Sequence, residues 1–114
     1  MFQKIAPILS AYNLNETNIF YKNKLKFNTQ YFGNYLVVRK DQIEIHFIEC
    51  AYKENFVAGS CYIYDNNVED LYAKFCSLEI IDILGEYKDN ARGKKEFSII
   101  DNNGNRLVFG EEGK

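Results

Sequence analysis

The sequence lacks the features that would assign it to a nucleic-acid-binding, membrane or secreted class of protein. Its 114 residues carry a formal net charge of only -2, which is too small to attract nucleic acid or a membrane surface. No apolar run approaches the roughly 20 residues that a membrane-spanning helix needs. The first residues also lack the apolar stretch of a signal peptide. We therefore expect no nucleic-acid partner, no membrane partner and a cytoplasmic location.

Cysteine, histidine and proline are also scarce. The three cysteines (Cys50, Cys61 and Cys76) form an odd and scattered set, which favours reduced thiols in the cytosol over a disulfide framework. His46 is the only histidine. The only proline, Pro7, has no N–H to donate to a strand ladder, so it indicates an edge strand, a bulge or a hinge.

What the chain does have is aromatic residues and a repeated pattern. Tyr and Phe make up 16% of the chain, and the apolar and charged fractions of 46% and 26% are typical of a globular protein. The length suits one domain, which we expect to cover residues 1–114. Within it, residues 5–49 and 60–111 repeat one order of strands and helix. Such repeats determine how the fold is interpreted.

Each copy opens with a short apolar strand, continues through an Asn-rich turn into an amphipathic helix, and closes with alternating strands. The predicted strands and helices are residues 5–9, 16–24, 27–31, 35–40 and 43–49 in the first copy, and 61–64, 68–77, 79–84, 96–100 and 106–109 in the second. Residues 86–95 are polar and charged, and we expect a mobile loop there. The pattern predicts an α+β fold, in which two tandem βαβββ modules form a curved mixed sheet around a concave ligand groove.

Three stretches resemble the glyoxalase/bleomycin-resistance/extradiol-dioxygenase superfamily, and the closest likeness is to its bleomycin-resistance branch. They are Pro7-Ile8-Leu9, the Phe20-Tyr21 pair and residues 93–107, in which Glu96-Phe97 precedes an Asp-x-x-Gly-Asn turn. The resemblance implies paired βαβββ modules and a homodimer whose sheets enclose ligand sites.

Enzymes of this superfamily hold a divalent metal with one side chain from the first and last strand of each module. Carried over, these positions fall on Ala6, Glu44, Ser60 and Val108, with Glu44 and Val108 in equivalent places. Only Glu44 has a good ligand, since such sites are built from imidazole and carboxylate groups. The resemblance therefore implies no metal and no cofactor, and a binding protein more than an enzyme, with no catalytic residue assigned.

Strand alternation sorts the remaining candidates onto one face of the sheet. The predicted ligand-binding residues are Phe32, Tyr35, Glu44, His46, Ser60, Tyr62, Tyr64, Glu96 and Arg106. For most of them a plain structural reading stays open: His46 is either a general base beside Glu44 or a structural histidine paired with a carboxylate. Tyr62 and Tyr64 either stack on a planar ligand or pack within the sheet or against a dimer partner.

Phe32 and Tyr35 either cap the groove or cover its edge. Glu44 is either a ligand contact, a remnant metal ligand or an ion-pair partner of Arg106. Glu111 either adds negative potential at a groove mouth or is simply solvated.

Three functions fit this sequence. The first is a metal-free, antibiotic-resistance type of binding protein that sequesters a planar or cationic small molecule in a homodimer groove. The alternative is a metal-dependent lyase or thiol transferase of the glyoxalase superfamily, using Glu44 and His46. The third is a dimeric module whose groove is filled by its own side chains.

Overall fold

The computed structural model of the chain describes residues 1–50, 52–78, 82–89 and 95–111, with the backbone alone in 82–89. The chain divides into two compact units, Met1–Gly59 and Ser60–Lys114, here called module 1 and module 2. Their limits follow the two sequence repeats, although the expectation of one domain over residues 1–114 stays a prediction.

Module 1 is a four-stranded mixed sheet with one helix. Its elements are β1 (Ile8–Ala11), α1 (Leu14–Ile19), a π-helical segment (Phe20–Lys24), β2 (Asn28–Phe32), β3 (Tyr35–Lys40), β4 (Ile43–Glu49) and a 3₁₀ turn (Lys53–Asn55). The strand order is β1-β4-β3-β2, in which β1 runs parallel to β4 and the other pairs are antiparallel.

Module 2 repeats this plan. Its elements are β5 (Ser60–Tyr64), α2 (Val68–Cys76), β6 (Asp82–Asp89), β7 (Lys95–Ile100) and β8 (Arg106–Gly110). The strand order is β5-β8-β7-β6, with β5 parallel to β8. The predicted α+β fold of tandem βαβββ modules is confirmed, and its strands form two four-stranded sheets, one in each module.

The start of β1 differs from the prediction because of Pro7. The strand begins at Ile8 and not at Ile5, directly after a residue that cannot donate a ladder hydrogen bond. The Pro7 carbonyl still accepts from the His46 N–H at 3.0 Å. Pro7 lies directly before β1, which is the edge of its four-stranded sheet, and this agrees with the edge-strand interpretation among the three.

The predicted loop at 86–95 is partly wrong. Residues 86–89 belong to β6 and residue 95 to β7, while residues 79–81 and 90–94 lie outside the described part. The register shifts between Leu84 and Lys88, where four steps along β6 face only two along β7. Backbone pairing with β7 thus forms a strand in a stretch that is polar, irregular and without alternation.

The two helices begin in the same way. The Asn13 side chain accepts from the Glu16 N–H at 3.0 Å, and the Asn67 side chain accepts from the Asp70 N–H at 3.1 Å. Each is a helix N-cap that lies in one of the predicted Asn-rich turns. Glu49, at the end of β4, and Glu111, just after β8, each add a carboxylate to the start of the helix in their module.

Each core lies between the helix and one face of its sheet. In module 1, the fully buried Tyr21 contacts the rings of Phe20, Phe27 and Phe47 at centroid distances of 4.9–5.5 Å. In module 2, Phe75, Phe97 and Phe109 pack together with centroids 5.3–5.8 Å apart. Part of the high aromatic content of the chain therefore fills the two cores, where such rings bury large apolar areas.

Candidate functional site

The candidate residues lie on the distal face of each sheet, which is the face turned away from the helix. In β4, Ile45 and Phe47 are at most 1% exposed, whereas Glu44, His46 and Ile48 alternate with them and remain at least partly exposed. In β8, Leu107 and Phe109 are buried while Arg106 and Val108 alternate with them. The predicted sorting of the two faces is therefore confirmed for both closing strands.

Two equivalent helix caps show which residues of the two modules correspond in sequence. Glu49 at the end of β4 accepts from the Leu14 N–H, and Glu111 just after β8 accepts from the Val68 N–H, each at 3.0 Å. These N–H groups lie in the first turn of their helices and have no acceptor within the helix. A negative charge at this end also suits the helix dipole. Glu111 is thus a helix cap and not merely a solvated residue.

Counting back from these caps corrects the predicted equivalence. His46 and Val108 each lie three residues before their cap, and Glu44 and Arg106 each lie five residues before it. The pairing of Glu44 with Val108 is therefore wrong by two residues. A slip of two leaves the alternation of a strand unchanged, so the hydrophobic pattern alone could not detect it.

Three side chains form a hydrogen-bonded chain on the distal face of module 1. His46 Nε2 lies 2.5 Å from Glu44 Oε2, and His46 Nδ1 lies 2.7 Å from the Tyr35 hydroxyl. Because Nε2 faces a carboxylate, it carries the ring proton, and Nδ1 of the neutral ring then accepts from Tyr35. The Tyr35 oxygen keeps lone pairs with which to accept a hydrogen bond from a ligand.

Two cations also contact Glu44. Arg39 Nε donates to Glu44 Oε1 at 2.7 Å and Lys4 Nζ lies 3.3 Å from the same oxygen. The His46 hydrogen bond, followed by that of Arg39, lowers the pKa of Glu44 from 4.5 to about 2. Glu44 therefore has ion-pair partners within module 1.

The positions implied for a metal do not supply a ligand set. The sequence places them on Ala6 and Glu44 in module 1, and on Ser60 and Val108 in module 2, and the corrected alignment leaves two matched choices for the closing strands, Glu44 with Arg106 or His46 with Val108. Ala6 and Val108 have no donor atom, Arg106 is a cation, and Glu44 and His46 already bond each other, with Tyr35 on the second ring nitrogen of His46. Among the described residues, no group of three or more His, Cys, Asp or Glu side chains is placed to hold a metal ion. The fold's usual metal chemistry therefore does not fit these residues.

Aromatic and acidic side chains come together on the distal face of module 2. Tyr62 and Tyr64 are 36% and 55% exposed, with ring centroids 5.1 Å apart. The Tyr62 hydroxyl donates to Glu96 Oε2 at 2.8 Å. The ring reaches Glu96 by lying over Gly110, where an added Cβ would overlap the phenol. Gly110 is thus required for this arrangement, and its role was missed in the sequence.

Arg106 lies on the same distal face, further back along β8. Its Nε donates to Ser98 Oγ at 3.2 Å, and Ser98 is only 2% exposed. Ser60 is its register partner on β5, and Ser98 is the register partner of Val108 on β7. The structure thus brings Ser60, Tyr62, Tyr64, Glu96 and Arg106 onto one face, as the sequence predicts.

The remaining candidates, Phe32 and Tyr35, are register partners at the hairpin of module 1. Phe32 is 52% exposed and lies beside the chain of hydrogen bonds that Tyr35 begins. Arg39 was missed by sequence reasoning, although it is the cross-strand partner of Glu44. Such neighbours share a face and contact one another, so the predicted hairpin held the signal.

The three cysteines are free thiols. Burial, helped by the negative charge of Asp101, raises the pKa of the Cys61 thiol to about 11. Cys61 is therefore protonated and unreactive at neutral pH, whereas Cys76 is exposed. Within the described residues, no helix has both the length and the apolar character needed to cross a membrane.

No protein-family model matches this chain, and no curated protein matches it. Solved structures do. A bleomycin resistance determinant encoded on the transposon Tn5 is similar with a TM-score of 0.84 and 15% identity, covering 99% of this chain and 100% of that one. A bleomycin-binding protein complexed with bleomycin is similar with a TM-score of 0.82 and 13% identity, over 98% and 100% of the two chains.

A lactoylglutathione lyase from Agrobacterium tumefaciens is similar with a TM-score of 0.77 and 18% identity, covering 96% of this chain and 92% of that one. These likenesses are of fold, since the identities are low. The chain therefore has the fold of the glyoxalase/bleomycin-resistance superfamily, the vicinal oxygen chelate fold, and the resemblance seen in the sequence is confirmed at that level.

Proposed function

We propose that the chain is a metal-free binding protein of the bleomycin-resistance type, which sequesters a planar or cationic small molecule in a groove formed with a second copy of itself. One observation carries this proposal. With either choice of closing-strand residues, the four positions at which the fold's enzymes hold a metal include only one carboxylate or imidazole, Glu44 or His46, and these two side chains already bond each other at 2.5 Å. These residues therefore suit a protein that binds a small molecule without making or breaking a covalent bond.

The affinity is expected to come from exposed aromatic rings beside negative charge. Tyr62 and Tyr64 offer π-faces, and a cation held over such a ring is stabilised by about 0.5–2 kcal/mol. Glu96, held by the Tyr62 hydroxyl, places a carboxylate beside the rings. Glu44 is a weaker candidate for neutralising a ligand, because Arg39 and Lys4 already balance its charge.

An apolar segment at the start of the chain supports self-association. Met1, Phe2 and Ile5 are almost wholly exposed, and Ile8 is 60% exposed. Clustered exposed apolar side chains are typical of association surfaces. We expect a homodimer at micromolar concentration by sedimentation equilibrium, and a monomer at all concentrations would contradict this part of the proposal. The three free thiols are consistent with a reducing, cytoplasmic location.

Isothermal titration calorimetry with bleomycin and with a simple planar cation tests the binding role. We expect a saturable heat, and about three- to tenfold weaker binding in Tyr62→Ala because a ring contact is lost. Tyr52→Ala is the matched control, since Tyr52 is 68% exposed and lies outside both sheets. Absence of heat with both ligands at high micromolar concentration would overturn the proposal.

A metal-dependent lyase or thiol transferase is the second candidate, favoured by the fold shared with the lactoylglutathione lyase. Metal analysis of protein purified without chelator separates the two. We expect substoichiometric metal, because the four positions offer only one carboxylate or one imidazole between them. Stoichiometric zinc, nickel, manganese or iron would favour the enzyme and overturn the metal-free proposal.

A further inference from the structure

Arg106 is an oriented cation that has no acidic partner in the described chain. Its Nε is held by Ser98 Oγ at 3.2 Å, and that serine is buried in the central strand β7. Arg106 itself is exposed. A guanidinium anchored through Nε turns its two terminal nitrogens outward as a fork, which matches a carboxylate or phosphate with two parallel hydrogen bonds.

The equivalent position in module 1 carries a charged residue, Glu44, whose surroundings differ from those of Arg106. Glu44, five residues before its helix cap as Arg106 is, is contacted by Lys4, Arg39 and His46. Within the residues that the structure describes, no carboxylate lies within ion-pair distance of Arg106. Module 1 therefore neutralises its charge internally, whereas module 2 presents its charge to solvent.

The neighbours of Arg106 suit an aromatic anion. Ser60 is its register partner on β5 and offers an exposed hydroxyl. Val108 follows on the same face, about 6.6 Å further along the strand, and Tyr62 is the register partner of Val108. An anionic group at Arg106 and Ser60 would thus place an attached ring over the Val108 isopropyl group and against the Tyr62 side chain.

Glu96 sets the direction of such a ligand. It is the register partner of Gly110, four residues further along β8 than Arg106, or about 13 Å at the usual rise per residue. A negative group is attracted at the Arg106 end, whereas the Glu96 carboxylate offers it no hydrogen-bond donor. The face therefore has a basic end and an acidic end, with an apolar floor and an aromatic ring between them.

We propose that the distal face of module 2 binds an aromatic anion, an aryl carboxylate or aryl phosphate, with its anionic group on Arg106 and Ser60 and its ring on Val108 and Tyr62. This rests on the proposed binding role and deepens it, because it gives the planar ligand an anionic substituent and an orientation. No bond is made or broken.

Titration of ¹⁵N-labelled protein with phenyl phosphate, inorganic phosphate and phenol at constant ionic strength tests the proposal. We expect phenyl phosphate to bind more tightly than either fragment and to shift the amide signals of β5 and β8. Arg106→Gln should weaken binding of phenyl phosphate about tenfold or more, since a charged hydrogen-bonding fork is lost. Tyr62→Ala should weaken phenyl phosphate about threefold and leave inorganic phosphate unchanged.

Lys53→Gln is the matched control, because it removes the same charge from an exposed 3₁₀ turn. Arg106→Lys keeps the charge but loses the fork, and should bind with intermediate affinity. Equal affinity of Arg106→Gln and the wild type, in variants whose spectra show a folded protein, would overturn the proposal, and so would shifts confined to other strands. Such a failure would leave the calorimetry with bleomycin unaffected, so the two proposals fail separately.

Discussion

Removing His46 should raise the pKa of Glu44 more than any other single substitution on the distal face of module 1. Glu44 Oε2 receives the His46 hydrogen bond at 2.5 Å, and Oε1 receives those of Arg39 at 2.7 Å and Lys4 at 3.3 Å. All three favour the ionised carboxylate, and together they hold the pKa of Glu44 at about 2, against an ordinary value of 4.5. A substitution that removes these hydrogen bonds should therefore move the pKa of Glu44 from about 2 towards 4.5.

The direction of the pH effect on stability follows from this depressed pKa. Since the folded protein holds the Glu44 proton less tightly than the unfolded chain does, the ionised cluster stabilises the fold above about pH 4.5. That contribution is lost as the pH falls from about 4.5 through about 2. In Glu44→Gln, the free energy of unfolding should therefore fall less steeply over this window than in the wild type.

Carbon-detected NMR of the glutamate carboxyl signals provides the assay. We expect the Glu44 signal of the wild type to titrate near pH 2, and that of His46→Ala to titrate well above it. Arg39→Ala should raise the pKa by less, since the His46 hydrogen bond is the larger cause. Lys53→Ala, which removes a distant cation, should leave the pKa of Glu44 unchanged. A wild-type pKa near 4.5, or one that His46→Ala does not move, would refute the hydrogen-bonded cluster.

Three further substitutions or labelling experiments address module 2. Glu111→Ala should lower the free energy of unfolding by about 1 kcal/mol in urea titrations, because α2 loses a carboxylate at its first N–H. Gly110→Ala should displace the Tyr62 ring and break its hydrogen bond to Glu96, which proton–proton contacts of the ring in NMR spectra would report. At pH 8, iodoacetamide should label the exposed Cys76 readily and Cys61 slowly, as read by mass spectrometry, because burial raises the pKa of Cys61 to about 11.

Each of these predictions has an outcome that contradicts it. Glu54→Ala removes an exposed glutamate from the 3₁₀ turn, and a loss of stability equal to that of Glu111→Ala would show that the cap is not formed. Unchanged contacts of the Tyr62 ring in Gly110→Ala would mean that the ring does not lie over residue 110. Equal labelling rates of the two cysteines would contradict the burial of Cys61.

The elements that the sequence predicts best are those that border tight turns. Strands 35–40 and 43–49 have the predicted bounds, because Gly33-Asn34 precedes the first strand and Asp41-Gln42 separates the two. Gly33 and Asp41 both adopt positive φ, at 59° and 53°, which is the backbone that such turns require. Local chemistry was sufficient here, and it also placed His46 and Glu44 on one face.

Contacts between strands were harder to predict, because they depend on register. The Arg39 to Glu44 pair follows only when the exact hairpin pairing is known, and β6 forms through its backbone ladder with β7, in a polar stretch without alternation. The equivalence of His46 with Val108 needed the helix caps Glu49 and Glu111, which join residues 35 and 43 positions apart in the chain. No local pattern carries that information.

The corrected alignment changes what the repeat means for function. One plan, folded twice, carries a carboxylate at Glu44 and a guanidinium at Arg106, in equivalent positions on equivalent strands. Module 1 surrounds its carboxylate with Lys4, Arg39 and His46, so the negative charge of Glu44 is fully compensated by protein partners. Module 2 anchors its charge to a serine alone, which leaves the charge available to a ligand. Ligand affinity should therefore depend on ionic strength through Arg106 far more than through Glu44, because screening weakens an exposed, unneutralised charge most.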